Sequence, residues 1–171
     1  FWRLEGFLSG ALTDAFRVRV AAVTEQGGAW QTNRTTGEEL GDADRTAVRP
    51  IAEFDATEDF TARLTVNFSQ DRSDGAGAYV LGRQSTLLPG VTPVGADADP
   101  TLTGWGTGAA FARLVGVAPN GKPFRDNDQL GLALRLDWNL GLGTLTSLTS
   151  RQTMDRREYN DWDGSAQALS G

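Results

Sequence analysis

The chain has 171 residues, with 16 Lys+Arg against 22 Asp+Glu and a net charge of −6. An acidic chain with no basic patch excludes nucleic acid as a partner. The absence of cysteine excludes a disulfide framework and thiolate chemistry, and the absence of histidine removes the commonest general base and metal ligand.

Segment 1–9 alternates Trp2, Leu4, Gly6 and Leu8 with Arg3, Glu5, Phe7 and Ser9. Period-2 alternation predicts a strand with one apolar and one polar face. Residues 10–14 are a short turn. Segment 15–26 sets Phe16, Val18, Val20 and Ala22 against Arg17 and Arg19, and a polar loop of 19 residues follows at 27–45. Segment 46–56 sets Val48, Pro50, Ala52 and Phe54 against Arg49, Glu53 and Asp55; Pro50 predicts a missing ladder bond or a local irregularity there. Residues 57–59 are the next turn.

Segment 60–71 carries the clearest signal: Phe60, Ala62, Leu64, Val66 and Phe68 alternate with Thr61, Arg63, Thr65, Asn67, Ser69 and Asp71. Its twelve residues exceed the usual strand of about 5–6 and match the ~9–11 of a membrane-spanning strand. A loop of 56 residues follows at 72–127. Segment 128–140 sets Leu130, Leu132, Leu134, Leu136, Trp138 and Leu140 against Gly131, Ala133, Arg135, Asp137 and Asn139. A turn at 141–143 leads into 144–155, rich in Thr and Ser, whose faces the pattern does not assign.

Short turns and long loops strictly alternate. An outer-membrane β-barrel sorts its connections this way, short on the periplasmic side and long outside. No apolar run reaches the ~18 residues of a membrane helix, a test that β-barrels escape because every second residue is polar. The expected fold class is therefore all-β: about six strands of a larger antiparallel, up-and-down transmembrane barrel. Phe16, Val18, Val20, Phe54, Phe60, Leu64, Val66, Phe68, Leu132, Leu134, Leu136 and Trp138 are expected to face lipid. Arg17, Arg19, Arg49, Glu53, Asp55, Arg63, Arg135 and Asp137 are expected to face the lumen, the carboxylates pairing with the arginines. Phe16, Phe54, Phe60 and Trp138 all fall at the short-turn end, where a periplasmic aromatic girdle belongs.

Catalytic chemistry finds little support. Gly104-Trp-Gly-Thr-Gly108 lacks the lysine of a phosphate loop. The acidic groups at 71–75, 97–99, 126–128 and 161–164 do not complete a calcium-loop spacing and read as solvated turns. No enzyme, metal site or cofactor is expected. The long loops combine aromatic and cationic side chains suited to ligand recognition: Trp30, Asn33, Arg34, Tyr79, Trp105, Phe111, Arg113, Lys122, Phe124 and Arg125.

The segment Asn33-Arg-Thr-Thr-Gly-Glu-Glu-Leu-Gly-Asp-Ala-Asp-Arg45 resembles the N-x-x-T-G-x-x-L-G-D-x-D-R loop of TonB-dependent outer-membrane receptors. Ala56-Thr-Glu-Asp59 resembles their P-T-D-type turn, and Gly10-Ala-Leu-Thr-Asp14 their G-P-L-T-D turn with Ala11 in place of proline. Leu136-Asp-Trp-Asn-Leu-Gly141 and Thr144-Leu-Thr-Ser-Leu-Thr149 resemble their L-x-W-D-L-G and L-T-S-I-T hairpin, and Asp161-Trp-Asp-Gly-Ser165 their D-x-D-G-S loop opening. The resemblance covers most of the chain outside about 75–127. It implies residues 1–171 as part of the barrel domain of an active transporter in the outer membrane of a Gram-negative bacterium, without the plug domain. It also implies the partners: outer-membrane lipid, the plug and remaining strands of a longer parent chain, the TonB complex, and a scarce small-molecule solute such as a siderophore, cobalamin or oligosaccharide. The opening Phe1-Trp2-Arg3, without Met or an apolar leader, fits an internal piece. The rival expectations are a passive porin-like barrel and a soluble β-sandwich that binds ligands.

Overall fold

The computed structural model describes residues 1–34, 36–75, 77–78, 99–106 and 109–160. The elements run β1 (Trp2–Ala11), β2 (Phe16–Gly27), β3 (Gln31–Asn33), β4 (Glu39–Leu40), β5 (Ala43–Thr57), β6 (Phe60–Asp71), β7 (Leu102–Thr103), α1 (Ala109–Val115), β8 (Phe124–Asn139) and β9 (Thr144–Tyr159). The described residues are thus mostly strand, with one short helix among them.

Contacts divide it into two units: 1–26, 44–71 and 126–156 in the first, and 27–43, 72–125 and 157–171 in the second. The first is built on an open six-stranded sheet in the order β1-β2-β5-β6-β8-β9. It is a meander: each long strand lies beside its neighbour in sequence. The pairs β1/β2, β5/β6 and β6/β8 are antiparallel. Strand β6 matches the alternating segment end for end, while β5, β8 and β9 run longer than their alternating cores.

Pro50 leaves the register unchanged. Val48 faces Phe68 and Ile51 faces Thr65 in one continuous frame, and the irregularity falls instead between Asp55 and Thr57, beside the turn. Arg49 Nε donates to Asn67 Oδ1 (2.6 Å) across the proline step, a side-chain link between strands where the backbone has no N–H to give.

The short turns close at one end of the sheet. Leu12 N donates to Phe16 O (2.8 Å), Asn139 N to Asp59 O (2.8 Å), and Leu140 N to Gly143 O (2.9 Å). Gly141 holds φ 78°, a conformation that costs glycine little.

The second unit corrects the expectation of plain polar loops. Residues of both long connections pair in a three-stranded sheet ordered β4-β3-β7, with β3/β4 antiparallel and β3/β7 parallel. The buried apolar side chains among the described residues are Leu40, Trp105 and Ala112, all in this unit, joined by Pro123. Short polar strands can pay the ordering cost because polar side chains close the backbone hydrogen bonds. Gln31 Nε2 donates to Gly77 O (2.9 Å) while Gly77 N donates to Gln31 Oε1 (2.9 Å), and Thr103 Oγ1 donates to Ala78 O (2.7 Å).

Candidate functional site

The long sheet sorts its side chains by chemistry. On β6, alternation puts Phe60, Ala62, Leu64, Val66 and Phe68 on one face. Their partners across β8 are Trp138, Leu136, Leu134, Leu132 and Leu130, and across β5 Leu64 and Phe68 meet Ala52 and Val48. Pairing of Leu8 with Val20 and Gly10 with Val18 continues the same pattern on β1/β2. Every residue expected to face lipid therefore lies on one apolar face.

Among the described residues that face stays exposed. Leu8 is 80% exposed, Leu64 44% and Leu132 42%. A contiguous apolar surface spread across five strands is far beyond the isolated exposed leucines of an ordinary soluble domain.

Both ends of the apolar face are marked. At the short-turn end the Phe16 and Phe54 rings meet edge-on (6.5 Å, 67°), as do Phe60 and Trp138 (6.4 Å, 90°). At the long-loop end the same face turns polar: Thr46 Oγ1 donates to Thr24 Oγ1 (3.2 Å), Gln26 Nε2 to Asp44 Oδ1 (2.8 Å), and Gln70 Nε2 to Asp128 Oδ1 (3.2 Å).

The opposite face carries the charges. Arg17 reaches both Glu53 (2.9 Å) and Asp55. Arg63 Nε donates to the same Glu53 (2.6 Å), which lies directly across the strand pair. Arg63 and Arg135 also face each other directly; Arg135 turns to Asp137 (2.7 Å), which further accepts from Thr146 Oγ1 (2.7 Å). Like charges opposite one another are unfavourable, and the interleaved carboxylates offset that. The Arg19 guanidinium lies 4.2 Å over the Phe7 ring. All eight residues expected to face a lumen are thus gathered on one face.

Sequence reasoning missed a second network near the long-loop end. Arg3 bonds Glu25 (2.7 Å) and Glu5 (2.9 Å), and Arg45 approaches Glu25 (3.7 Å) and Asp71 (3.4 Å). The signal was present in the shared odd parity of these residues. Residues of all six strands, from Arg3 on β1 to Met154 on β9, line one cavity of about 360 Å³. An adjoining one of about 490 Å³ runs from Glu5 to Gln152. Thr146, bonded to Asp137, fixes the even-numbered side chains of β9 on the charged side, a facing its sequence left open.

The loop residues expected to bind a ligand do not form one cluster. Two are corrected. Trp105 is only 3% exposed and Asn33 is fully buried, so neither presents the surface expected of it. Asn33 builds the turn between β3 and β4 instead. Its Oδ1 accepts from Thr36 N (3.2 Å) and its backbone O from Gly37 N (2.8 Å), the local bonding asparagine favours in turns. Trp30 is exposed and its indole lies over Gly41, where a Cβ would come within 2.6 Å of the ring. Arg34 and Arg113 are exposed, and Lys122 pairs with Asp74 (2.8 Å). Phe124 lies beside Tyr159 (6.4 Å) and under the Arg157 guanidinium (5.6 Å), and Arg125 is half-buried. Tyr79 and the Phe111 side chain lie outside the described residues, as do Asp97, Asp161 and Asp163.

The described acidic groups are engaged locally. Asp74 accepts from Asp42 N (3.0 Å) as well as Lys122. Asp99 accepts from Thr101 Oγ1 (2.7 Å) and Thr101 N (2.9 Å), which holds its carboxyl below the usual range. Among the described residues no three Asp or Glu carboxylates gather into a metal-sized group. Comparison of the chain with family models, curated proteins and solved structures returned no match.

Proposed function

We propose that this chain is wall and loop from an outer-membrane β-barrel transporter, which binds a scarce solute at its long loops and imports it with energy supplied through TonB. The observation that carries the reading is the inverted sheet, with leucines, valines and aromatics exposed on one face and ion pairs on the other. Lipid is the solvent in which that inversion is favourable.

The dimensions agree. Phe60 to Phe68 is eight residue steps, about 27 Å of strand at ~3.4 Å each. At a tilt of ~40° this rises about 20 Å, close to the ~25 Å apolar band of such barrels before the ring widths are added. The aromatic row at one end and the polar pairs at the other fit the two interfaces. The order of short turns and long connections fits a periplasmic and an extracellular side. TonB coupling and solute import rest on the family resemblance of the motifs at 10–14, 33–45 and 136–149.

The test has two stages. Membranes containing the protein at its native length are washed with alkaline carbonate; retention is expected, and release would refute the membrane reading. Uptake of labelled ferric siderophore, cobalamin and an oligosaccharide is then followed with and without a collapsed proton-motive force. Uptake that stops on collapse supports an active receptor, whereas uptake that persists identifies a passive porin.

A further inference from the structure

The apolar face is interrupted at β9. On β1, β2, β5, β6 and β8 the even-numbered side chains are the apolar set, but on β9 the even-numbered Thr146 bonds Asp137 on the charged side. Alternation then turns Ser147, Thr149, Arg151, Thr153 and Asp155 outward. Thr146 beside Asp137 and Thr153 Oγ1 on Leu130 O (3.4 Å) lie in one register, which sets Arg151 opposite Leu132 and Thr149 opposite Leu134.

Arg151 is exposed, and among the described residues it has no ion pair, hydrogen bond or ring contact. In contrast Arg3, Arg17, Arg45, Arg63 and Arg135 all meet carboxylates on the other face. A bare guanidinium within an apolar band is costly at the midplane and tolerable toward an interface. Arg151 lies on the long-loop side of the Leu64–Leu134 level, so its stem can lie along apolar surface while its head rises toward that interface.

We propose that Arg151, flanked by the Thr149 and Thr153 hydroxyls, docks the phosphate of a membrane lipid on the outward surface of β9; this rests on the membrane reading above. A guanidinium offers paired N–H donors that match phosphate oxygens, and the Thr149 hydroxyl can donate to the same group, the Thr153 hydroxyl being given to Leu130 O. The exposed Leu130, Leu132 and Leu134 alongside favour a phosphate that carries acyl chains over a free ion. Asp155 stands four residues further toward the rim, outside the reach of this point.

The protein at its native length, held in dodecyl maltoside, is titrated with phosphatidylglycerol, and native mass spectrometry counts the retained lipid. Arg151→Gln is expected to lower retention about fivefold, the weight of one basic residue near a membrane surface. Arg151→Lys keeps the charge but loses the paired donors, so its retention falls between the two. Ser150→Ala, on the opposite face, retains lipid like wild type. Equal retention by wild type and Arg151→Gln overturns the proposal, as does displacement of the lipid by inorganic phosphate or cross-linking from position 151 to a protein. If Arg151→Gln fails to assemble, Arg151→Lys decides alone, and unchanged retention there overturns it. Retention in carbonate-washed membranes tests the underlying membrane reading separately.

Discussion

Two adjacent residues on β8 offer the sharpest discrimination. Leu134 lies opposite Leu64 near the middle of the apolar face and is 40% exposed, while Arg135 lies opposite Arg63 on the charged face. In water, Leu134→Arg would place a charge on an already half-exposed site and cost little, as surface substitutions usually do. In a bilayer the same change costs ~2–4 kcal/mol near the midplane. At about 1.4 kcal/mol per tenfold, that shifts the folding equilibrium roughly 30- to 700-fold. Arg135→Leu removes an exposed guanidinium from Asp137, which keeps Thr146 Oγ1 at 2.7 Å, and also removes a like charge from Arg63. Its effect is expected to be small. The assay is reversible urea unfolding of the protein at its native length from phospholipid vesicles, with assembly yield in cells as a second readout. If Leu134→Arg costs no more than Arg135→Leu, the assignment of the two faces is wrong.

Other outcomes follow from particular contacts. In Gly77→Ala the new Cβ would stand 2.6 Å from Thr103 Oγ1 and 2.9 Å from Leu40 Cδ2, so a loss of about 1–3 kcal/mol is expected in the loop unit. Amide exchange should accelerate at 31–33 and 102–103 and stay unchanged in β6; unchanged exchange at both would refute the interlock of the two loops. A variant keeping Trp138 as its sole tryptophan should be quenched more strongly by lipids brominated near the headgroup than by those brominated near the chain end, because Trp138 closes the apolar band beside Phe60. The depressed Asp99 carboxyl stabilises its turn above the ordinary aspartate range near pH ~3.9, and that contribution is lost as pH falls through the lower folded-state value. The Thr101 amide resonance should follow the titration in wild type and be insensitive to acid in Asp99→Asn. Residues 1–171 purified alone without detergent are expected to aggregate, since every residue of β1 is exposed along a free sheet edge. A monomer that melts cooperatively in water would contradict this.

The strands were legible where side-chain period and environment agree. On β6 no residue from 60 to 69 violates alternation, so both the element and its faces could be read directly. On β9 they could not. Leu145 and Leu148 are three apart and Met154 adds to the second parity, so apolar residues fall on both faces and only the hairpin register decides between them. The loop unit was illegible for another reason. Its strands are two or three residues long, too short for any period, and Thr32 finds its parallel partner at Leu102, across the whole of β5 and β6. Trp105 and Asn33 were expected at the surface because loop aromatics and amides usually are. Their burial follows from a small core that only this long-range pairing creates.

On the membrane reading proposed above, the orientation of the sheet is decided more by its cations than by its leucines. Turning the sheet over would move the leucines to the water-facing side, where the loss is spread over many half-exposed side chains. It would also place Arg63 and Arg49 in hydrocarbon, and an arginine costs ~2–4 kcal/mol there at midplane depth. Two such residues already approach the ~5–15 kcal/mol that holds a typical domain folded. The pairing of Arg63 with Glu53 does not remove that penalty, because a buried ion pair must still offset the desolvation of both partners. On the charged side the same pair bridges β5 to β6, Arg49 bridges the strands at Pro50, and Arg17 ties β2 to β5. The residues that forbid the wrong orientation are therefore the ones that hold the strands in register in the right one. Arg151, on the outward side of β9 and without an ion pair among the described residues, stands apart from this scheme.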